Sequence, residues 1–583
     1  AQTGHQTHAK KKRSSMSLFS FLMCLSICLC VCVLFVLGCF AVVIAACVLN
    51  FHRAVGLLVI ALMTVFFLVW DCSMKRYGDR IWEAIYPVRN LLSRNWFWIR
   101  WIIYVLLLAA VLSWLVLDTA QQGTRQIVSF FGLLLLVFLM LLFSKHPFRV
   151  RRTHAHTHTS NLSHTHTHTL KNVFFYHTLY AVVFPNFAVG DGATIFLAFT
   201  DVGSKFVFGE SYTEHPFVFK VMPILVFLSS VISILYYIGF MPWLICKIGF
   251  IMQATMGTSP TESVAAAGNI FLGQTDSVLL IRPYLSKLTR SEIHAVMTGG
   301  FAGLSGTILG VYISFGVEAT HLLTASVMSA PASLAIAKMF WPETETSKST
   351  NILEAASQGA TSAVGLVATI VANLIAFMAL LAFFDAVLSW FGGLLDCPQL
   401  SFSLISSYMF MPLSFMMGVS WEDCFIVAEL IGIKTFINEF VAYQKLSVLI
   451  KRRKAGGPEY VNNIKQYISV HSETIATYAL CGFSNFASLG MLIGALSSMA
   501  PNRRTDISSC GFRSLIAGSV SCFMTACIAG DYVLLSACLF DYIKIRYLVT
   551  VNDQWNVTTG EGFSLQRCCT LAPSTHFNCS LIQ

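Results

Sequence analysis

A chain of 583 residues that is 56% hydrophobic and 11% charged, with mean hydropathy +0.69, excludes a soluble globular protein, whose charged share is about 25%. It reads as an all-α polytopic membrane protein. The net charge of +10 is not matched by a basic, aromatic-interleaved domain; it fits the positive-inside bias of membrane loops, so no nucleic-acid partner is expected. The 18 cysteines follow no metal-binding spacing, and no GxSxG, Walker loop, HExxH or CxxC pair appears. An enzyme is therefore not expected.

In chain order, a cytoplasmic tail (1–15) holding Lys10 to Arg13 precedes an apolar run from Met16 to Phe51, read as a first span. The opening residue, Ala1, leaves the completeness of the N-terminus open. Further spans are expected near 54–70, 97–117 and 126–143, so that 16–148 forms an N-terminal group of transmembrane helices. The segment RNWFWIRW (94–101) supplies interfacial anchors. Residues 149–171 are a His/Thr insert with six of the 16 histidines. Such tracts can bind metal, but low-complexity filler is the reading we prefer. A transporter core is expected over 172–530, with a span near 217–240, a glycine-rich one near 293–316, a small-residue segment at 321–337, and runs at 356–392, 402–419, 422–447 and 512–530. The last part, 531–583, is expected to be an extracellular tail, because Cys568, Cys569 and Cys579 accompany sequons at Asn556 and Asn578.

One stretch stands out from this apolar background. Residues 260–285, PTESVAAAGNIFLGQTDSVLLIRPYL, hold Glu262, Asn269, Gln274, Thr275, Asp276 and Arg282, with Gly268 and Gly273 breaking the helix pattern. A carboxylate at membrane depth costs about 2.5–3.5 kcal/mol on insertion scales, and broken backbone is tolerated there only when it is covered or lines a cavity. The stretch is therefore read as a re-entrant hairpin forming half of a polar site. A second glycine-broken segment, with Asn485 and Ser488 between Gly482 and Gly490, predicts a second hairpin near 475–498. Paired interrupted segments in two halves point to a secondary transporter with inverted repeats. Arg282 is expected to be structural or interfacial.

The motifs GNIFLGQT (268–275), LLIRPYL (279–285), SVMSAPASLA (326–335), FINEFVAY (436–443) and ALCGFSN (479–485) resemble, in this order, those of the concentrative (sodium-coupled) nucleoside transporter family. The likeness covers about 40–145 and 198–530 and is strongest to the broad-selectivity vertebrate member. It implies a glycosylated, multi-pass plasma-membrane protein, a homotrimer in which scaffold and transport domains work as an elevator, with no cofactor beyond sodium as coupling ion. It further implies that Gln274, Thr275 and Asp276 meet the nucleobase. Glu439, on a broken helix, would hold the ribose hydroxyls together with Asn485 and Ser488, beside Phe483. Sodium would lie at Asn269, Leu272, Gly303 and Leu304. The alternative is a nucleoside-binding but transport-inactive membrane protein. Asp276 stands where the family usually has Glu, and Gly303 where it usually has Ser or Thr.

Overall fold

The computed structural model describes residues 124–145, 187–209, 222–256, 258–343, 401–461 and 464–551, with scattered helical positions at 44–65 and 379–394. The chain divides into two units, 1–103 and 104–583; the account below concerns the second. Most of the expected first span and of the span at 54–70, the span at 97–117, the His/Thr insert, most of the 356–392 run and the cysteines and sequons beyond 551 lie outside the described residues.

The described secondary structure is helical apart from a short antiparallel pair, β1 (Tyr460–Val461) and β2 (Ile464–Lys465). First come α1 (Thr124–Leu142), α2 (Phe187–Phe208), α3 (Met222–Tyr237) and α4 (Phe240–Met256). The span expected at 217–240 stops at Tyr237, because Gly239 takes φ 84° and the chain bends by 80° into α4. On α2, Ile195, Phe199, Val202 and Phe206 form an exposed apolar stripe at helical spacing, suited to a lipid-facing surface.

The core then repeats one pattern. In the first half, α5 (Pro260–Gly268) and α6 (Asp276–Leu279) enclose a non-helical tip. A 3₁₀ turn (Arg282–Lys287) leads to α7 (Arg290–Ala302), a break at Gly303–Ser305, α8 (Gly306–Ser314) and the long α9 (Ala319–Phe340). After α10 (Phe402–Met416), the second half runs α11 (Trp421–Phe436), α12 (Glu439–Lys454), α13 (Val470–Leu480), α14 (Phe486–Met499) and α15 (Arg504–Val551).

The packing corrects the expected placement of the second hairpin. Helices α11 and α12 lie against each other, and Glu429 pairs with Lys445, 16 residues on and equidistant from Ile437. The fold-back is thus at Ile437–Asn438. Helices α13 and α14 do not pack along each other and form a broken helix, so the region near 475–498 is not the hairpin. Glu439 accordingly stands at a hairpin tip rather than on a broken helix. Both halves now read hairpin, broken helix, long helix. The sequence misled because Gly482 marks a break as strongly as a turn does, while the turn at 437–438 has no glycine. A second correction concerns the tail expected from 531: α15 runs on to Val551, and nothing from 531 to 551 is Gly or Pro to stop it.

Three helical stretches among the described residues are long and apolar enough to cross a membrane: Arg290–Ser314, Ala319–Phe340 and Pro501–Gly530. Two apolar cores, one centred on α5–α7 and the other on α11–α13, share α9 and α15. Local signals set the helix starts. Thr289 and Glu292 close a capping box, with Thr289 N–H donating to Glu292 (2.9 Å) and Glu292 N–H to Thr289 Oγ1 (3.1 Å).

The starts of α11 and α13 are tied together by one buried carboxylate. Asp423 accepts from Ser420 Oγ (2.8 Å), Ser469 N–H (3.1 Å) and Ser469 Oγ (2.9 Å), and pairs with Lys465 on β2 (2.7 Å). Burial lowers the affinity of the Lys465 ammonium for its proton. The hydrogen bond and charge of Asp423, with help from Glu422 and Glu459, outweigh this and hold the group above the ordinary lysine value. Breaking a buried pair from one side costs about 3–5 kcal/mol. Asp423→Ala is therefore expected to lower the melting temperature of the detergent-solubilised protein by several degrees, with Asp423→Asn, which keeps an acceptor, falling between it and the parent.

Candidate functional site

The candidate site is built around the last turn of α7. There Gly299, Gly300 and Gly303 allow three other elements to approach backbone to backbone. A Cβ on Gly303 would sit 2.8 Å from the Asn269 peptide oxygen, and one on Gly299 would sit 2.8 Å from Asn269 Nδ2. Beside it, Gly306 N–H donates to the Phe271 carbonyl (3.0 Å). The tip of the first hairpin is thus seated on the break of the first broken helix, which gathers Asn269, Leu272, Gly303 and Leu304 at one junction. Gly303 has φ −77° and ψ 158°, ordinary for any residue, so glycine is needed there for space. In this chain a hydroxyl side chain at 303 would have to push the hairpin tip away.

Asn269 is fully buried; its Oδ1 accepts from Ser277 Oγ (2.6 Å) and its Nδ2 has no partner within the protein. Gln274 is also buried, with Oε1 likewise unpartnered. Unpaired buried amide atoms are costly, and these two lie together at a broken backbone tip. Such donors and acceptors suit a polar ligand. Thr275 N-caps the short α6 and is half-buried, whereas Asp276 is exposed, its Oδ2 turned back over Gly273. Arg282, expected to be structural or interfacial, is exposed at the start of the 3₁₀ turn. Glu262 is buried far up α5, where it accepts from Ser259 N–H (2.6 Å) and pairs with Lys338 (2.8 Å). It is structural.

The second hairpin and second broken helix meet on the other side of α7. Gly482 takes φ 91°, and a Cβ on it would lie 2.6 Å from the Ala302 carbonyl oxygen and 2.7 Å from that of Phe301. Asn485 N-caps α14: its Oδ1 accepts from Ser488 N–H (2.7 Å), while its Nδ2 donates to Glu439 Oε2 (2.7 Å). One amide therefore starts a helix and ties the hairpin tip to the break. Phe483 is buried in the same turn. The two halves converge at Gly300, where a Cβ would touch both Gln274 Cβ (3.4 Å) and Leu492 Cδ2 (3.5 Å), the latter one turn beyond Ser488. Expected base-side and ribose-side residues thus share one region around the end of α7. No cluster of three or more metal-binding His, Cys, Asp or Glu side chains occurs among the described residues, and the oxygens gathered here are amide and carbonyl, which suit a hard monovalent cation.

Comparison with known proteins now decides the family. Family models described as "Nucleoside recognition" and "Na+ dependent nucleoside transporter C-terminus" match residues 218–319 and 321–530. Solute carrier family 28 member 3 of Rattus norvegicus is 54% identical over 584 residues, covering 94% of this chain and 81% of the relative. That of Homo sapiens is 50% identical, covering 93% and 83%. The chain belongs to the sodium-coupled nucleoside transporter family. Sodium/nucleoside cotransporter 1 of Sus scrofa is 45% identical over 507 residues, covering 84% of this chain and 76% of the relative. Among solved structures, CNTnw in an inward-facing substrate-bound state is 34% identical with a TM-score of 0.62, covering 71% of this chain and 99% of that one. A double variant of CNTnw in an outward-facing state aligns with the same TM-score at 33% identity.

Sequence reasoning missed Gly299, Gly300 and Lys434. The lysine is buried in α11 and donates to the Ala479 (2.9 Å) and Cys481 (2.7 Å) carbonyls. A lone cation in the apolar run 424–437 was the signal for it. For Gly482, both the left-handed backbone and the two carbonyls forbid a side chain. Gly482→Ala is expected to shift the break by about 1 Å and lower transport about a hundredfold, measured as initial uptake normalised to surface protein.

Proposed function

We propose that this chain is a plasma-membrane symporter that couples inward sodium movement to the uptake of nucleosides, purine and pyrimidine alike. The observation that carries the reading is the Glu439–Asn485 hydrogen bond at 2.7 Å, which joins hairpin and broken helix a short way across α7 from the unpartnered Gln274 Oε1 and Asn269 Nδ2. Such an arrangement offers a carboxylate for ribose hydroxyls and an amide for a base edge. In this reading Gln274 and Thr275 meet the base, with Asp276 at the exposed edge reaching it through water. Glu439, Asn485 and Ser488 hold the ribose beside Phe483. Sodium takes oxygens from Asn269, Leu272, Gly303 and Leu304. The ion bridges hairpin and broken helix in the first half, and the nucleoside then finds both halves in register, so each ligand raises the affinity for the other.

Transport, and not binding alone, is supported by the inward- and outward-facing states in which the similar CNTnw has been solved. An elevator movement of hairpins and broken helices against α1–α4, in a glycosylated homotrimer, rests on the family resemblance. The relatives are named as carriers and cotransporters, which supports a protein without enzymatic activity and without an organic cofactor.

Charge-assisted hydrogen bonds contribute about 1.5–3 kcal/mol, or about ten- to a hundredfold in affinity. Glu439→Gln is expected to lower radiolabelled uridine and adenosine uptake by that factor at fixed sodium, and replacing sodium with choline is expected to abolish uptake by the parent. Parent uptake that equals the Glu439→Gln variant, with both at the cell surface, would sink the proposal.

A further inference from the structure

The two halves share an order of elements, and their junctions correspond element by element in that order. In the first half, the end of α5 meets the break after α7 at the oxygens assigned to sodium. The counterpart in the second half is where the end of α11 meets the break after α13. There the structure holds Lys434. Its side chain is 1% exposed, and its Nζ donates to the Ala479 carbonyl at 2.9 Å and to the Cys481 carbonyl at 2.7 Å. Cys481, like Gly303, is the extended residue that ends its helix: φ −59°, ψ 139° against φ −77°, ψ 158°.

We infer that the Lys434 ammonium is a tethered cation, occupying in the second half the place that sodium takes in the first. This rests on the sodium site proposed above. The last carbonyls of a helix carry about half a negative charge, and half-helix C-termini with unwound carbonyls are what transporters use to hold a cation. An ammonium offers three donors and a full charge to such oxygens. The first-half junction takes a free ion, and its assembly depends on sodium concentration. The second-half junction carries its cation covalently, and Glu439 and Asn485 stand ready on either side of it whatever the sodium concentration. Lys434 is thus a positioning residue. It fixes the break that presents Asn485 and limits the demand for mobile ions at this pair of junctions to one.

Hydrogen bonding alone can be separated from charge. Lys434→Gln keeps two N–H donors and removes the charge; Lys434→Arg keeps the charge. Uptake of uridine by the full chain in cells is measured against sodium concentration for the parent and both variants, normalised to surface protein, with melting temperatures of the purified proteins as a check on folding. The expected result for Lys434→Gln is a fall of more than about tenfold at physiological sodium, together with a steeper sodium dependence as a second ion enters the vacated junction. Lys434→Arg is expected to keep the parent's slope. A Lys434→Gln variant with parental slope, whether its uptake is lowered or not, overturns the inference and leaves Lys434 a structural hydrogen-bond donor. Failure of both variants to fold overturns it also, because the Arg variant retains the cation. Parent uptake indifferent to sodium sinks instead the symport reading on which this one rests, so the two failures are distinguished by the parent alone.

Discussion

Everything else in the site depends on how closely four backbones approach at the end of α7. The Asn269 peptide packs against Gly303, the Gly482 peptide against Phe301 and Ala302, and Gly518 of α15 comes so near that a Cβ there would lie 2.6 Å from Phe301 Cβ. Close approach of this kind is what small residues provide between membrane helices, where lipid tails offer no hydrophobic drive and packing and polar contacts must supply the association. It brings four non-helical stretches together inside one volume. In that volume their unsatisfied carbonyls and amides face one another instead of lipid, which is the only way broken backbone is tolerated at membrane depth.

Side-chain polarity is then laid on this scaffold with little redundancy. Asn485 uses its oxygen to start α14 and its nitrogen to hold Glu439. Asn269 uses its oxygen on Ser277, which keeps the first tip folded. Ser326 on α9 donates to the Ile270 carbonyl at 3.0 Å, tying the same tip to the long helix behind it. The ties within each half are numerous, and at the first tip Asn269 Nδ2 and Gln274 Oε1 are left without a partner, where ligand chemistry is called for. Away from the site, two buried carboxylates are paired, Glu262 with Lys338 and Asp423 with Lys465.

Much of this was legible in the residues. The apolar runs near 293–316, 321–337 and 512–530 fall on the three described stretches long and apolar enough to cross a membrane, whereas the run at 422–447 is a hairpin. The polar first hairpin announced itself through Asn269, Gln274 and Asp276 in an apolar setting. The second half was harder. Gly482 suggested a turn, whereas its left-handed backbone serves a break against α7; the real turn at Ile437–Asn438 is made with an asparagine cap, Asn438 Oδ1 accepting from Val441 N–H at 3.0 Å, and no glycine. Whether two helices separated by a short break fold back or run on is settled by tertiary packing, here the Glu429–Lys445 pair and the seat of α13 against α15, and local sequence does not carry it. The reach of α15 was missed for another reason: the cysteines and sequons beyond 551 suggested a tail, which was then begun at 531, yet nothing from 531 to 551 is Gly or Pro to break a helix.

The seams of the site are written in glycine, and this has a consequence for how such a protein can change. Any single-base replacement in the first two positions of a glycine codon that still encodes a residue brings at least a Cβ, and several of the outcomes are charged. At Gly303 and Gly482 that first carbon already collides with a backbone oxygen. At Gly482, whose left-handed backbone also disfavours any side chain, drift meets a wall at the first step; at Gly303, with ordinary φ and ψ, a small side chain is admitted only by moving the hairpin tip. Variation in what the carrier accepts has instead to be found at positions such as Asp276, where the side chain is exposed and a methylene more or less can be accommodated.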